Sequence, residues 1–145
     1  MSAPPYMSAP SFLTASLYVA IGGGIGSWLR FLIGRFYTHV LGPINASAFP
    51  WSTLTVNVAG SLAMGLLVGW LAPHGAGAGI ASESTRLFMA VGVLGGFTTF
   101  SAFSLEIVSI IERGQTMLAL GYIGVSLLAS LGALACGLLL MRSAI

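Results

Sequence analysis

The chain has 145 residues, 57% of them hydrophobic and 6% charged; the charges are five arginines and three glutamates, giving a formal net charge of +2. A soluble domain carries about 25% charged residues, and so few charges cannot cover a water-exposed globule. The composition excludes an ordinary soluble enzyme, a disordered regulator and a nucleic-acid binder, and it indicates an integral membrane protein built from helices.

The N-terminus repeats the tetrapeptide MSAP at Met1 and Met7. It has no positively charged stretch, so it does not read as a cleaved signal peptide. Residues 1–13 are expected to form a disordered tail, with Met7 a second start site, and residues 14–145 one membrane domain. A helix needs about 20 apolar residues to cross a bilayer, and four such spans follow: Thr14 to Tyr37, Ser52 to Leu71, Arg86 to Ile111 and Met117 to Met141. Gly42, Pro43 and Pro50 punctuate the first connection. Pro73 is expected to stop the second helix, ahead of a Gly/Ala run from His74 to Ala81. Ser82, Glu83 and Ser84 suit a helix start, where hydroxyl and acidic groups meet free N–H groups. Glu112, Arg113, Gly114 and Gln115 form a tight last connection. Cys136 has no partner for a disulfide, and His39 and His74 have none at metal-ligand spacing.

Polar groups at membrane depth are costly and mark the places where function is sought. On the second span Thr53, Asn57 and Ser61 fall at i, i+4 and i+8, hence on one face. Asn57 offers two donors and an acceptor; a ligand-binding role and a role as interhelical glue are equally supported by the spacing. Tyr122, Ser126 and Ser130 repeat the pattern on the fourth span. The third span carries Gly95, Gly96, Thr98 and Thr99, all poor helix formers, so a break is expected mid-membrane. Irregular backbone survives there only when protein or a cavity surrounds it, and its freed carbonyls can coordinate a cation. Phe100 and Phe103 share a face once the helix resumes. Arg30 and Glu106 lie nearer the ends of the first and third spans, where a vestibule group or, for Arg30, a snorkelling side chain is expected.

Orientation follows the arginine balance. Arg86 and Arg142 fall on one side of the four spans, Arg35 and Arg113 on the other, with Arg30 one turn deeper. Weak single-direction insertion and insertion in both directions with antiparallel dimerisation fit this balance equally. Gly22 with Gly26, and Gly65 with Gly69, form GxxxG pairs that let helix backbones approach in lipid.

Three stretches together resemble the Fluc-type (CrcB-like) fluoride channel family: Gly22-Gly23-Gly24-Ile25-Gly26-Ser27-Trp28-Leu29-Arg30-Phe31, Thr53-Leu54-Thr55-Val56-Asn57-Val58-Ala59-Gly60, and Gly95-Gly96-Phe97-Thr98-Thr99-Phe100-Ser101-Ala102-Phe103-Ser104. The resemblance covers nearly the whole chain after the tail. It implies an antiparallel, dual-topology homodimer with two pores in a bacterial inner membrane, exporting fluoride passively and lowering fluoride toxicity, with no catalysis. It implies that Phe100 and Phe103 face the pores, that Asn57 donates to the ion, and that Ser104, Ser126 and Ser130 form a polar track with Tyr122. It implies a structural Na⁺ at the dimer axis held by the carbonyls of Gly95 and Thr98, and Arg30 and Glu106 at vestibule positions. The chain departs from the family motif at Ala102, where Thr is common and one track hydroxyl is lost, and at Ser27, where Ala is common. Fluoride is small and strongly hydrated, so a pore must replace its water with donors such as the Asn57 amide and the hydroxyls. The electropositive edges of Phe100 and Phe103 suit contact with an anion.

Two rivals make different demands. A proton-coupled exporter of organic cations needs a membrane-embedded carboxylate, and the first span has none, which leaves Glu106. A scaffold without transport needs no aligned polar faces.

Overall fold

The computed structural model describes residues 10–75 and 83–144. Four long apolar helical spans dominate it, Phe12–Ala48, Trp51–Ala72, Glu83–Glu112 and Thr116–Ala144, each long enough to cross a bilayer. Residues 1–9 of the tail expected over 1–13, most of the Gly/Ala run and Ser82 lie outside the described residues.

Helix α1 (Phe12–Ala48) begins two residues ahead of the expected boundary, where the Ser11 hydroxyl accepts from the Thr14 N–H at 3.3 Å. It also runs past the expected end at Tyr37. At Gly42 the backbone turns to φ 75°, ψ 159°, a region open to glycine, and Pro43 starts a further short helical piece. The Gly-Pro pair therefore kinks the helix instead of opening a loop. Helix α2 (Trp51–Gly75) starts when the Pro50 carbonyl takes the Leu54 N–H. Its helical backbone passes Pro73 by two residues; a proline in the last turn gives up one hydrogen bond and keeps a helical φ.

The third span, Glu83–Glu112, is not uniform. Its first part, α3 (Arg86–Leu94), is a wide π-type helix, and the Gly95 N–H reaches back five residues to the Ala90 carbonyl. A single turn, α4 (Gly95–Phe97), follows. The span then bends: Thr98 is extended at φ −80°, ψ 162°, and helix resumes as α5 (Ser101–Glu112). Gly114 at φ 75° closes the turn into α6 (Thr116–Ala144).

Two helix pairs carry most of the packing: α1 lies along α3 and α4, and α2 along α6. Both GxxxG pairs serve these intrachain contacts. A side chain on Gly22 would reach within 2.5 Å of the Phe88 carbonyl, and one on Gly26 would strike the Val93 carbonyl. Gly65 meets the Leu134 carbonyl in the same way, and across that contact a Cβ on Gly137 would come within 2.5 Å of the Leu62 carbonyl. The buried core is small. Its largest cluster joins Phe103, Ile110, Ala119 and Tyr122, with Phe49 and Leu54 against it.

Candidate functional site

A groove of about 500 Å³ runs between α2, the bend of the third span and α6. Asn57, Gly60 and Ser61 line it from α2; Gly95, Thr98, Thr99, Phe100 and Phe103 from the third span; Ser126 and Ser130 from α6. Two residues of each stripe, Asn57 with Ser61 and Ser126 with Ser130, thus meet one groove with the two phenylalanines, while Thr53 and Tyr122 lie off its lining. Among the described residues no carboxylate side chain lines it.

The bend creates the groove, and side chains from other elements satisfy the backbone there. In an unbroken helix the Thr99 N–H would bond the Gly95 carbonyl. Instead it donates to Asn57 Oδ1 at 2.9 Å, while Asn57 Nδ2 donates to the Thr99 carbonyl at 3.0 Å. The Ala102 N–H, which would have bonded the Thr98 carbonyl, donates to Thr99 Oγ1 at 3.2 Å. The Thr98 carbonyl accepts from Arg30 Nη1 at 3.0 Å. Ser27 Oγ reaches the Gly96 carbonyl at 3.5 Å. Asn57 therefore acts as a clamp on the bend with one amide hydrogen left over for a ligand. Arg30 points at the bend and does not line the groove.

The aromatic pair has unequal surroundings. Phe100 is 77% exposed in the single chain, whereas Phe103 is 7% exposed and packs on Tyr122, with ring centroids 5.1 Å apart. Their own centroids lie 5.9 Å apart. Ser104 turns its hydroxyl back to the Phe100 carbonyl at 3.0 Å and does not line the groove. Ser126 is buried and its hydroxyl makes no hydrogen bond. A buried donor without a partner is costly, and this oxygen lies beneath the groove wall, on the helix that also carries Tyr122.

At one end, Glu106 is held by two donors: Thr53 Oγ1 at 2.6 Å and Tyr122 Oη at 2.8 Å, one on each carboxylate oxygen. Tyr122 is 1% exposed. The other side of Glu106 faces a second groove of about 510 Å³, lined also by Ser47, Ser109, Glu112 and Arg113, where Arg113 donates to the Ser47 carbonyl at 3.1 Å. Sequence reasoning placed Thr53 on the polar face without a task; its spacing of 53 residues from Glu106 hides the bond. Thr99 was legible only as a helix breaker and not as the partner of Asn57, and Phe49, whose ring sits 5.4 Å from that of Tyr122, carried no signal in the sequence. Among the described residues no group of three or more His, Cys, Asp or Glu side chains is placed to hold a metal, so a cation would rely on backbone oxygen.

Residues 17–138 match the family described as CrcB-like protein, Camphor Resistance (CrcB). A protein of Novosphingobium aromaticivorans named fluoride-specific ion channel FluC is 54% identical over 130 residues, covering 90% of this chain and 98% of its own. A protein of the same name from Hyphomonas neptunium is 52% identical, covering 87% and 94%. Another from Erythrobacter litoralis is 46% identical, covering 94% and 98%.

Proposed function

The chain belongs to the CrcB-like family, and from that membership we propose that its groove conducts fluoride. The protein is a multi-pass membrane channel and not an enzyme; fluoride moves down its electrochemical gradient. The observation that carries the reading is the lining of the groove: the Asn57 amide, Ser126, Ser130 and two phenylalanines, with no carboxylate among the described residues. Neutral donors replace the water of a small anion without binding it as tightly as a fixed cation in the path would. Ring edges at Phe100 and Phe103 add positive potential. Glu106, tied up by two hydroxyls outside this lining, is poorly placed for an exporter that must exchange protons for a substrate.

In this reading residues 14–145 form the conducting unit. It inserts in both directions in a bacterial inner membrane and pairs antiparallel with a second copy. The exposure of Phe100, Gly95 and the groove on a lone chain supports a partner that closes them. Each dimer then holds two pores and lowers cytoplasmic fluoride. Glu106 stands toward a vestibule, Arg30, matched to a vestibule by the resemblance, holds the bend behind it, and Ser104 and Tyr122 flank the track.

A sodium ion suits the bend. Peptide carbonyls are hard oxygen donors, and the extended Thr98 turns its carbonyl off the helix axis beside the exposed Gly95. Gly95 and Thr98 would hold the ion with the same residues of a second copy, and its charge would raise the potential near the grooves. The Thr98 oxygen keeps one lone pair for this, the other serving Arg30.

The test is efflux from liposomes, fluoride against chloride, with valinomycin and K⁺ carrying the balancing charge. Fast fluoride efflux that needs valinomycin, with chloride retained, is the expected result. Absence of fluoride efflux from folded protein overturns the proposal.

A further inference from the structure

Arg30 is the one charged side chain that α1 carries to the bend, and a charge at membrane depth is costly. The bland account, snorkelling to the interface, does not describe it: Nη1 donates to the Thr98 carbonyl at 3.0 Å, 68 residues away, and the residue is half-buried. The accounting at the bend gives this contact its meaning. Thr98 still donates its own N–H to the Leu94 carbonyl at 3.0 Å, as in a helix. Its carbonyl has lost its natural donor, because the Ala102 N–H has gone to Thr99 Oγ1. An orphan carbonyl in a low-dielectric interior is strongly unfavourable. Arg30 supplies the donor; the N–H of that same peptide, on Thr99, donates to Asn57 Oδ1, and the carbonyl of the following peptide accepts from Asn57 Nδ2. Two consecutive peptides are thus pinned from two different helices, and the residue after them is Phe100.

We infer that Arg30 is a positioning residue: acting through the Thr98 carbonyl, it fixes the extended peptide that presents Thr99 and Phe100 to the groove, and thereby sets discrimination between fluoride and larger anions. A guanidinium suits this task because its planar fork keeps its direction with little entropy loss per bond. Without Arg30 this peptide keeps only the Asn57 bond at its N–H, so it can pivot there and let the wall at Thr98–Phe100 relax outward. A wider wall admits a larger, less hydrated anion while losing contact with the small one.

The inference rests on the fluoride reading, so the experiment has one arm that does not depend on it. Arg30→Met and Arg30→Lys are compared with wild type, as full-length protein in detergent and in liposomes. The first arm is amide hydrogen exchange over residues 98–104 and, as control, over 120–135. Arg30→Met is expected to exchange at least tenfold faster over 98–104, with the control segment unchanged. The second arm is the ratio of fluoride to chloride efflux, which is expected to fall at least tenfold. Both changes together support the inference. Faster exchange with a wild-type ratio makes Arg30 merely structural, and a changed ratio with wild-type exchange makes it a charge acting at a distance; either overturns it. If Arg30→Met does not fold, Arg30→Lys decides. It keeps the charge on a shorter, single-point donor, and both quantities are expected to shift in the same directions, wild-type values in both overturning the inference. Wild-type protein without fluoride efflux would sink the channel reading while the exchange arm still reports on Arg30.

Discussion

Asn57 and Thr99 exchange two hydrogen bonds, the amide oxygen taking the Thr99 N–H at 2.9 Å and the amide nitrogen giving to its carbonyl at 3.0 Å. The side chain mimics the edge of a neighbouring strand, and it does so where the third span has no helical partner for that peptide. The glue and ligand roles therefore need not compete, since one N–H remains after the clamp is made.

Asn57→Asp tests the clamp. The substitution keeps the shape and replaces the donor with an oxygen facing the Thr99 carbonyl. We expect fluoride efflux to fall at least tenfold and the unfolding free energy to drop by about 2–3 kcal/mol, the cost of an unpaired buried group. Efflux traces and unfolding in mild detergent check both.

The two phenylalanines should separate. Phe100 is mostly exposed in the chain, so Phe100→Ile is expected to lower efflux with little loss of fold stability. Phe103 is buried against Tyr122, and Phe103→Ala should cost about 3 kcal/mol as well as efflux. Equal stability losses would contradict the packing described.

Ser126→Ala is expected to divide stability from function. The hydroxyl makes no hydrogen bond, so its removal should leave stability unchanged or raise it by about 1 kcal/mol, while slowing fluoride efflux. A stability loss of the same size would mean that Ser126 has a protein partner.

Glu106 should behave as one unit with its two donors. Thr53→Val and Tyr122→Phe each remove one hydroxyl and are expected to cost about 1–2 kcal/mol. In a Glu106→Gln background both costs should shrink, because the bonds to a carboxylate are already lost; a double-mutant cycle reads the coupling.

The close helix contacts make a simpler prediction. Gly26→Ala drives a Cβ into the Val93 carbonyl and should destabilise by about 1–3 kcal/mol. Gly132→Ala meets nothing within 4 Å and should be neutral.

Much of this arrangement is legible in the sequence, for physical reasons. Hydropathy over about 20 residues locates spans because every backbone group must be satisfied internally in lipid. Spacing of four places Thr53, Asn57 and Ser61 on one face because the helix turns every 3.6 residues. The first span's true length was hidden, since His39, Gly42 and Pro43 look like a loop, yet a proline after a positive-φ glycine starts a helical piece as readily as it ends one. The widened turn of α3 has no composition signature. Nor do the bonds Arg30–Thr98, Asn57–Thr99 and Thr53–Glu106, whose members lie 68, 42 and 53 residues apart along the chain and meet only in the folded helix bundle.

Those glycine faces have a mechanical consequence. Along Gly22 and Gly26, and along Gly65 and Gly137, backbone lies directly on backbone, with no layer of side chains whose rotamers can give. Each of the two helix pairs behaves as a stiff plate. Between the plates the ties are fewer, and the groove runs along that seam. A small stress on the protein is therefore taken up at the seam, and the separation of the plates, not the straightness of any helix, is the softest coordinate of the fold.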